Sequence, residues 1–259
     1  MSFETLGSAI INTEFLLKKQ LGKLSHDGPN GSLMVEVIQN FRRLACGALL
    51  MDLDVNEFSA NLYCSAKTYL ELLFACQKKQ VDIYYHWRSF SFPLLDAIII
   101  KADNLSREII KHSIEDCFSE KGEIEEDFWY FKLIGSFLAE SDNYQQQESF
   151  FSSFKKSMDG GSSSRYEVLK SIFDSDGASF SLGFNKFVNE WQKENATERK
   201  CGRMDPYDDP TTANICLEGL ALLRLAQKKG IQIEKEYTFI PDIAIQMNIQ
   251  EFPEDFSIF

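Results

Sequence analysis

Histidine is scarce in this sequence, at three residues in 259 against 39 acidic and 27 basic side chains. Metal-dependent hydrolase sites built from His and Asp on facing helices are therefore weakly supported. The six cysteines, at 46, 64, 76, 117, 201 and 216, form no Cys-x-x-Cys pair. Cys46, Cys64, Cys76 and Cys216 sit among Leu, Ala and Tyr, where a free thiol behaves as a small hydrophobe. Neither disulfides nor a metal site are expected of them. No stretch reaches the ~18 unbroken apolar residues of a membrane span. Glu4 and Glu14 interrupt the start, which lacks the basic-then-apolar order of a signal peptide. A cytoplasmic protein that does not engage membranes is the expectation. Phosphate loops and common hydrolase motifs are missing too: there is no G-x-x-x-x-G-K-[ST], G-x-G-x-x-G, H-E-x-x-H or G-x-S-x-G. Strand-like alternation is confined to VDIYY near 81 and IQIEKEY near 231, read as extended linkers after helices.

What is abundant is aromatic and helical. With 22 Phe, 9 Tyr and 3 Trp, the chain has ample apolar surface for a core. Ile38, Phe41, Ala45 and Ala48 form one helical stripe, widened by Leu44 and Leu49. Leu62, Ala66, Tyr69, Leu70 and Leu73 form another. A third runs through Leu105, Ile109, Ile110, Ile114, Cys117 and Phe118, with Asn104 placed to cap it. Phe128, Phe131, Ile134 and Phe137 follow, and then Phe150, Phe151, Phe154 and Met158. Ser164 and Glu167 have capping-box spacing ahead of Val168, Leu169, Ile172 and Phe173. Phe180, Phe184, Phe187 and Trp191 share one face. The fold class read from this pattern is all-α, a bundle of eight to ten helices in antiparallel pairs.

Breaks fall at SHDGPNG (25–31) and DGGSSS (159–164). The second divides two sub-domains or is a loop within one; a single domain over 1–259 is favoured, because the aromatic stripes on both sides need mutual cover. In DPTTANICLEGLALLRLAQKKGI (209–231), Asp209 is suited to cap, Pro210 to open and Gly230 to stop a helix. Ile215, Leu217, Leu220, Leu222, Leu223 and Leu225 make that helix apolar nearly all round, which places it in the middle of the bundle. Residues 72–83, LLFACQKKQVDI, echo 222–233, LLRLAQKKGIQI; chance or two equivalently packed units would account for so short a match.

The formal charge of −12 disfavours a nucleic-acid partner and fits a basic protein or simple solubility. Acid is concentrated in EDCFSEKGEIEED (115–127) and MDPYDDP (204–210). These clusters are solvated loops or a docking face on which charge speeds encounter with a basic partner. The candidate partner-binding residues are Glu123, Glu125, Glu126, Asp127, Asp205 and Asp208, with aromatic anchors at Trp129, Tyr130 and Tyr207. A carboxylate-only Mg²⁺ site at Asp205, Asp208 and Asp209 is conceivable, though turn forming and helix capping suit those residues better. His26 and His112 read as solvated; His86, in YYHWRSF, is open between partial burial and binding.

Residues 208–245, DDPTTANICLEGLALLRLAQKKGIQIEKEYTFIPDIAI, resemble the immunity protein 49 family of bacterial polymorphic toxin systems. The resemblance rests on Asp209-Pro210, the Leu-rich helix, Lys229-Gly230-Ile231 and Phe239-Ile240-Pro241, and in looser outline on the Ala/Leu-rich segment FRRLACGALLMDLDVNEFSANLYCSAKTYLELLFA. It implies an immunity protein rather than an enzyme, with no cofactor, which binds a cognate toxin domain and blocks its active site or its substrate's approach. A toxin acting in the cytoplasm, of the basic nuclease type, would suit the acidic balance. The alternatives are a metal-dependent all-α hydrolase and a helical-repeat scaffold.

Overall fold

The computed structural model describes residues 3–139, 143–234, 236–247 and 252. Those residues form eleven α-helices and contain no strand beyond one isolated bridge, Tyr237 with Ile240. The all-α class is thus established, with one to three more helices than the eight to ten that the periodicity counted. The extra ones are short. α4 (Phe92–Ile99) is nearly wholly apolar and buried, and α11 (Asp242–Gln246) is barely a turn.

α1 (Phe3–Asp27), α2 (Gly31–Asp52) and α3 (Val55–Gln77) are joined by two very short connections. Leu53 adopts a left-handed φ of 55° to end α2, and Asp54 at once caps α3 through bonds from the Asn56 and Glu57 amides. So short a link between packed neighbours forces them antiparallel. Along α2, Ile38, Phe41, Ala45 and Leu49 are buried while Leu44 and Ala48 are only half so; the α3 stripe is buried throughout.

α5 (Asp103–His112) departs from expectation at both ends. It begins one residue before Asn104, with Ala102 in the cap position, and stops at His112. The carbonyl of Ile114 is taken by Arg88 Nε at 2.9 Å instead of by a helical amide. Ile114, Cys117 and Phe118 therefore lie in a loop, not on the helix. α6 (Glu125–Leu138) and α7 (Tyr144–Ser157) pack together, and α8 (Ser164–Phe173) pairs with α9 (Gly177–Lys200). The capping box at 164 does not form. Ser163 holds the cap position, and Glu167 accepts a bond from Lys186 of α9 at 2.7 Å. On α9, Phe180, Phe184 and Phe187 are buried and Trp191 is half-buried at the edge.

α10 (Leu217–Lys228) is the central element: Leu217 to Ala226 are buried without a break. It starts eight residues after Asp209, because the acids expected to open it are occupied elsewhere. Asp209 pairs with Arg199 and Asp208 with Arg43, which holds 208–214 as turns against α2 and α9. Cys216 Sγ caps the helix instead, accepting from the Gly219 amide. A side chain at Gly219 would meet Ile240 Cδ1 at 2.9 Å and Cys216 Sγ at 3.0 Å, so the close approach here needs glycine. Gly230, at φ 78°, ends the helix as expected.

The echoed segments end their helices in different ways. Lys79 and Lys229 both donate their amides to the residue three back, Cys76 and Ala226. The left-handed residue, however, is Lys79 in the first and Gly230, one place later, in the second. Both helices pack on α4. One apolar cluster, from Leu17 to Met247, includes residues on both sides of the 159–164 break.

Candidate functional site: an acid-rimmed cleft around Trp191

Three helix N-termini converge on one arginine. Arg165 stands in the first turn of α8, Glu218 in that of α10 and Asp127 in that of α6. Arg165 donates Nε to Glu218 Oε1 at 2.6 Å, Nη2 to Oε2 at 2.9 Å and Nη1 to Asp127 Oδ1 at 3.0 Å. The two carboxylates complement the positive ends of their own helices. Beneath, the guanidinium lies 4.8 Å from the Tyr130 ring centroid. Burial works against the Arg165 charge, but Glu218, Tyr130 and Asp127 more than restore it, so its pKa is raised.

Two further arginines continue this line along α2. Arg43 donates to Asp208 at 2.7 Å and contacts Asp205 at 3.1 Å, with its guanidinium over the Tyr207 ring. Arg42 donates Nε to the wholly buried Asp96, which also accepts from Ser65 Oγ at 2.6 Å. Burial pushes the Asp96 carboxyl up, against the pull of Arg42 and Ser65. Phe92 separates Arg42 and Arg165, whose guanidiniums lie 6.0 and 5.9 Å from its ring.

A cleft opens above these pairs. One cavity of about 270 Å³ is lined by Glu126, Arg165, Glu190, Trp191, Glu194 and Glu218, with Ser162 to Ser164 at its lip. A second, of about 220 Å³, shares Trp191 and Glu218 with it and extends past Asn195 to Arg42 and Asp208. Among the described residues, Glu126, Glu190 and Glu194 make no ion pair within 4 Å, although Glu190 lies close enough to Lys186 to add to the attraction on it. The cleft thus has neutralised pairs in its floor, unpaired carboxylates on its rim and an indole wall.

The residues expected to bind a partner divide into four groups. Glu125 is exposed and Glu126 is half-buried at the rim. Asp127, Asp205, Asp208 and Tyr207 are engaged with Arg165 or Arg43 at the two ends of the cleft, so acid segments some 80 residues apart meet on one surface. Glu123 and Tyr130 are interior. Glu123 accepts from the amides of Arg88 at 2.7 Å and Phe118 at 2.8 Å, closing the loop before α6; Tyr130 is covered by Arg165. Trp129 packs half-buried on Phe128 and Phe150, away from the cleft lining.

Arg42, Arg43, Arg165, Glu190, Trp191 and Glu194 were not singled out from the sequence as site residues. The Arg-Arg pair inside an apolar helix, and Glu-Trp-x-x-Glu on the face carrying the Phe stripe, are the signals that point to them. Asp205, Asp208 and Asp209 are held by arginines instead of facing one another, and among the described residues no group of three His, Cys, Asp or Glu could hold a metal. His86 is buried, its Nε2 2.6 Å from the His112 carbonyl; His112 is half-buried against Phe74, not solvated, while His26 is exposed. Among the described residues no helix is long and apolar enough to cross a membrane. Compared with known families, curated proteins and solved structures, the chain matches none.

Proposed function

We propose that this chain is an immunity protein, which binds a cognate bacterial toxin domain acting in the cytoplasm and blocks it without catalysing a reaction. The acid-rimmed cleft around Trp191 carries the reading. Glu126 and Glu194 carry no ion pair and Glu190 only a looser attraction to Lys186, so together they can receive a Lys or Arg side chain, and the indole offers that cation a π face. The formal charge of −12 adds long-range attraction for a basic, nuclease-type toxin. The resemblance of residues 208–245 to an immunity family points to the same role, and that segment supplies α10 and the Asp208 end of the cleft.

The test is co-expression with the toxin domain encoded beside this chain. The intact protein should rescue growth and form a one-to-one complex that weakens as salt rises. Glu190→Lys with Glu194→Lys should keep the fold, since both sites lie at the surface, yet lose rescue. Absence of rescue by the intact chain against its adjacent toxin would dispose of the proposal.

A further inference from the structure

α1 presses Leu6, Ala9, Thr13, Leu17 and Leu24 inward, chiefly onto α2. At 100° per residue the opposite side carries Glu4, Ile11, Phe15 and Lys18, and Gly7 borders it, half-buried, with Met51 of α2 alongside. Ile11 and Phe15 are 66% and 69% exposed, more than isolated surface hydrophobes of a helix require. The positions are spaced 3, 4, 4 and 3, so the face reads identically in both directions about Ile11. Its chemistry is complementary under the same reversal. Glu4 exchanges with Lys18, Phe15 exchanges with the side-chain-free Gly7, and Glu14 exchanges with Ser8.

We propose that this face is a homodimer interface in which α1 pairs antiparallel with α1 of a second copy, on a two-fold axis through Ile11. The two Ile11 side chains meet on the axis. Each Phe15 packs at the edge formed by the second copy's Gly7 and Met51, and each Glu4 faces the second copy's Lys18. A closed two-fold contact needs such self-complementarity, which a surface shaped for an unrelated partner has no reason to show. Parallel pairing is opposed, because it would set Glu4 on Glu4 and Lys18 on Lys18. The helix also escapes the repulsion that the net charge of −12 imposes elsewhere: Glu4, Glu14 and Asp27 are balanced by Lys18, Lys19 and Lys23. The matched stretch is about 21 Å long, so the contact belongs with small interfaces and the dimer should dissociate at micromolar concentration.

Sedimentation of the full chain from about 1 to 500 µM at low salt should show a monomer–dimer equilibrium. Ile11→Asp should abolish it while leaving thermal unfolding unchanged, because the site is exposed. Glu4→Lys should weaken dimerisation about tenfold, since two symmetry-related pairs turn repulsive, and Lys18→Glu should do the same. The double variant Glu4→Lys/Lys18→Glu should recover the parental affinity. A monomer throughout the range would overturn the proposal, and so would a dimer indifferent to Ile11→Asp or a charge swap that fails to restore pairing. None of these results bears on the Trp191 cleft, which lies on other helices.

Discussion

Arg165 and Glu218 meet through two parallel hydrogen bonds, of 2.6 and 2.9 Å, across 53 residues of sequence. Their side chains are 25% and 10% exposed, so the pair is largely withdrawn from water. Removing one member leaves the other charged and under-solvated, whereas replacing both with apolar groups removes the need for pairing. Arg165→Met is therefore expected to cost about 2–3 kcal/mol, below the fully buried range because the site is partly wet. Arg165→Met with Glu218→Leu should cost clearly less than the sum of the singles. Urea unfolding of the four proteins measures this, and additive losses would contradict it.

Arg224 is 6% exposed and, among the described residues, has no carboxylate partner in an ion pair. It donates to the carbonyls of Ile99, Ala244 and Ile245 at 3.3, 2.9 and 2.7 Å, and to Gln227 Oε1 at 3.2 Å. Ile99 is the last residue of α4 and the other two lie in α11, so one cation closes two helix C-terminal ends. Burial lowers its pKa. Arg224→Met should destabilise by about 2–4 kcal/mol through the carbonyls left without a donor. Faster amide exchange should appear first in 242–247. Unchanged exchange there would show that α11 is held by its apolar contacts alone.

Asp208 supplies a pH signature. Burial pushes its carboxyl up, but bonds from Arg43, Gln39 and Thr212 outweigh that and hold it below the usual carboxylate range. A depressed native pKa stabilises the fold above the unfolded value of ~4, and the benefit drains away as pH falls through that value toward the native one. Asp208→Asn should thus lose about 1–2 kcal/mol at pH 7 and approach the parent near pH 3. Denaturant midpoints at the two pH values decide it; an equal gap at both would rule out the ionised bond as the cause.

The thiols should react unequally. Cys201 is exposed, while burial pushes Cys64, Cys76 and Cys117 each up to about 11 and Cys46 and Cys216 higher still. At pH 8 an aromatic disulfide reagent should titrate one of the six thiols quickly in the native protein and the rest only on unfolding. Rapid loss of two or more would mean that α3 around Cys64, or the loop that holds Cys117, opens readily.

Legibility in the sequence followed the range of the interaction. The interior course of α10 was readable because Leu220, Leu222, Leu223 and Leu225 leave no polar face, whatever packs around them. Its start was not, because Asp209 acts as a cap only if Arg199 does not claim it, and Arg199 reaches it through the turn after α9. Tyr130 illustrates the same limit. It follows an acid cluster and so reads as a surface anchor, but it lies one turn into α6, on the side that faces α8 and Arg165. The arginine pairs along the cleft span from 38 residues, for Arg165 with Asp127, to 165, for Arg43 with Asp208. No local pattern encodes partners at such separations.

Arg224 also imposes an order on assembly during synthesis. Until Ala244 and Ile245 have been made and have left the ribosome, the middle of the bundle holds a guanidinium whose main acceptors do not yet exist. The nascent chain should therefore stay loose and protease-sensitive through α10 and become resistant only after residue 245 emerges. Stalled chains ending at increasing lengths would reveal the point at which the bundle locks.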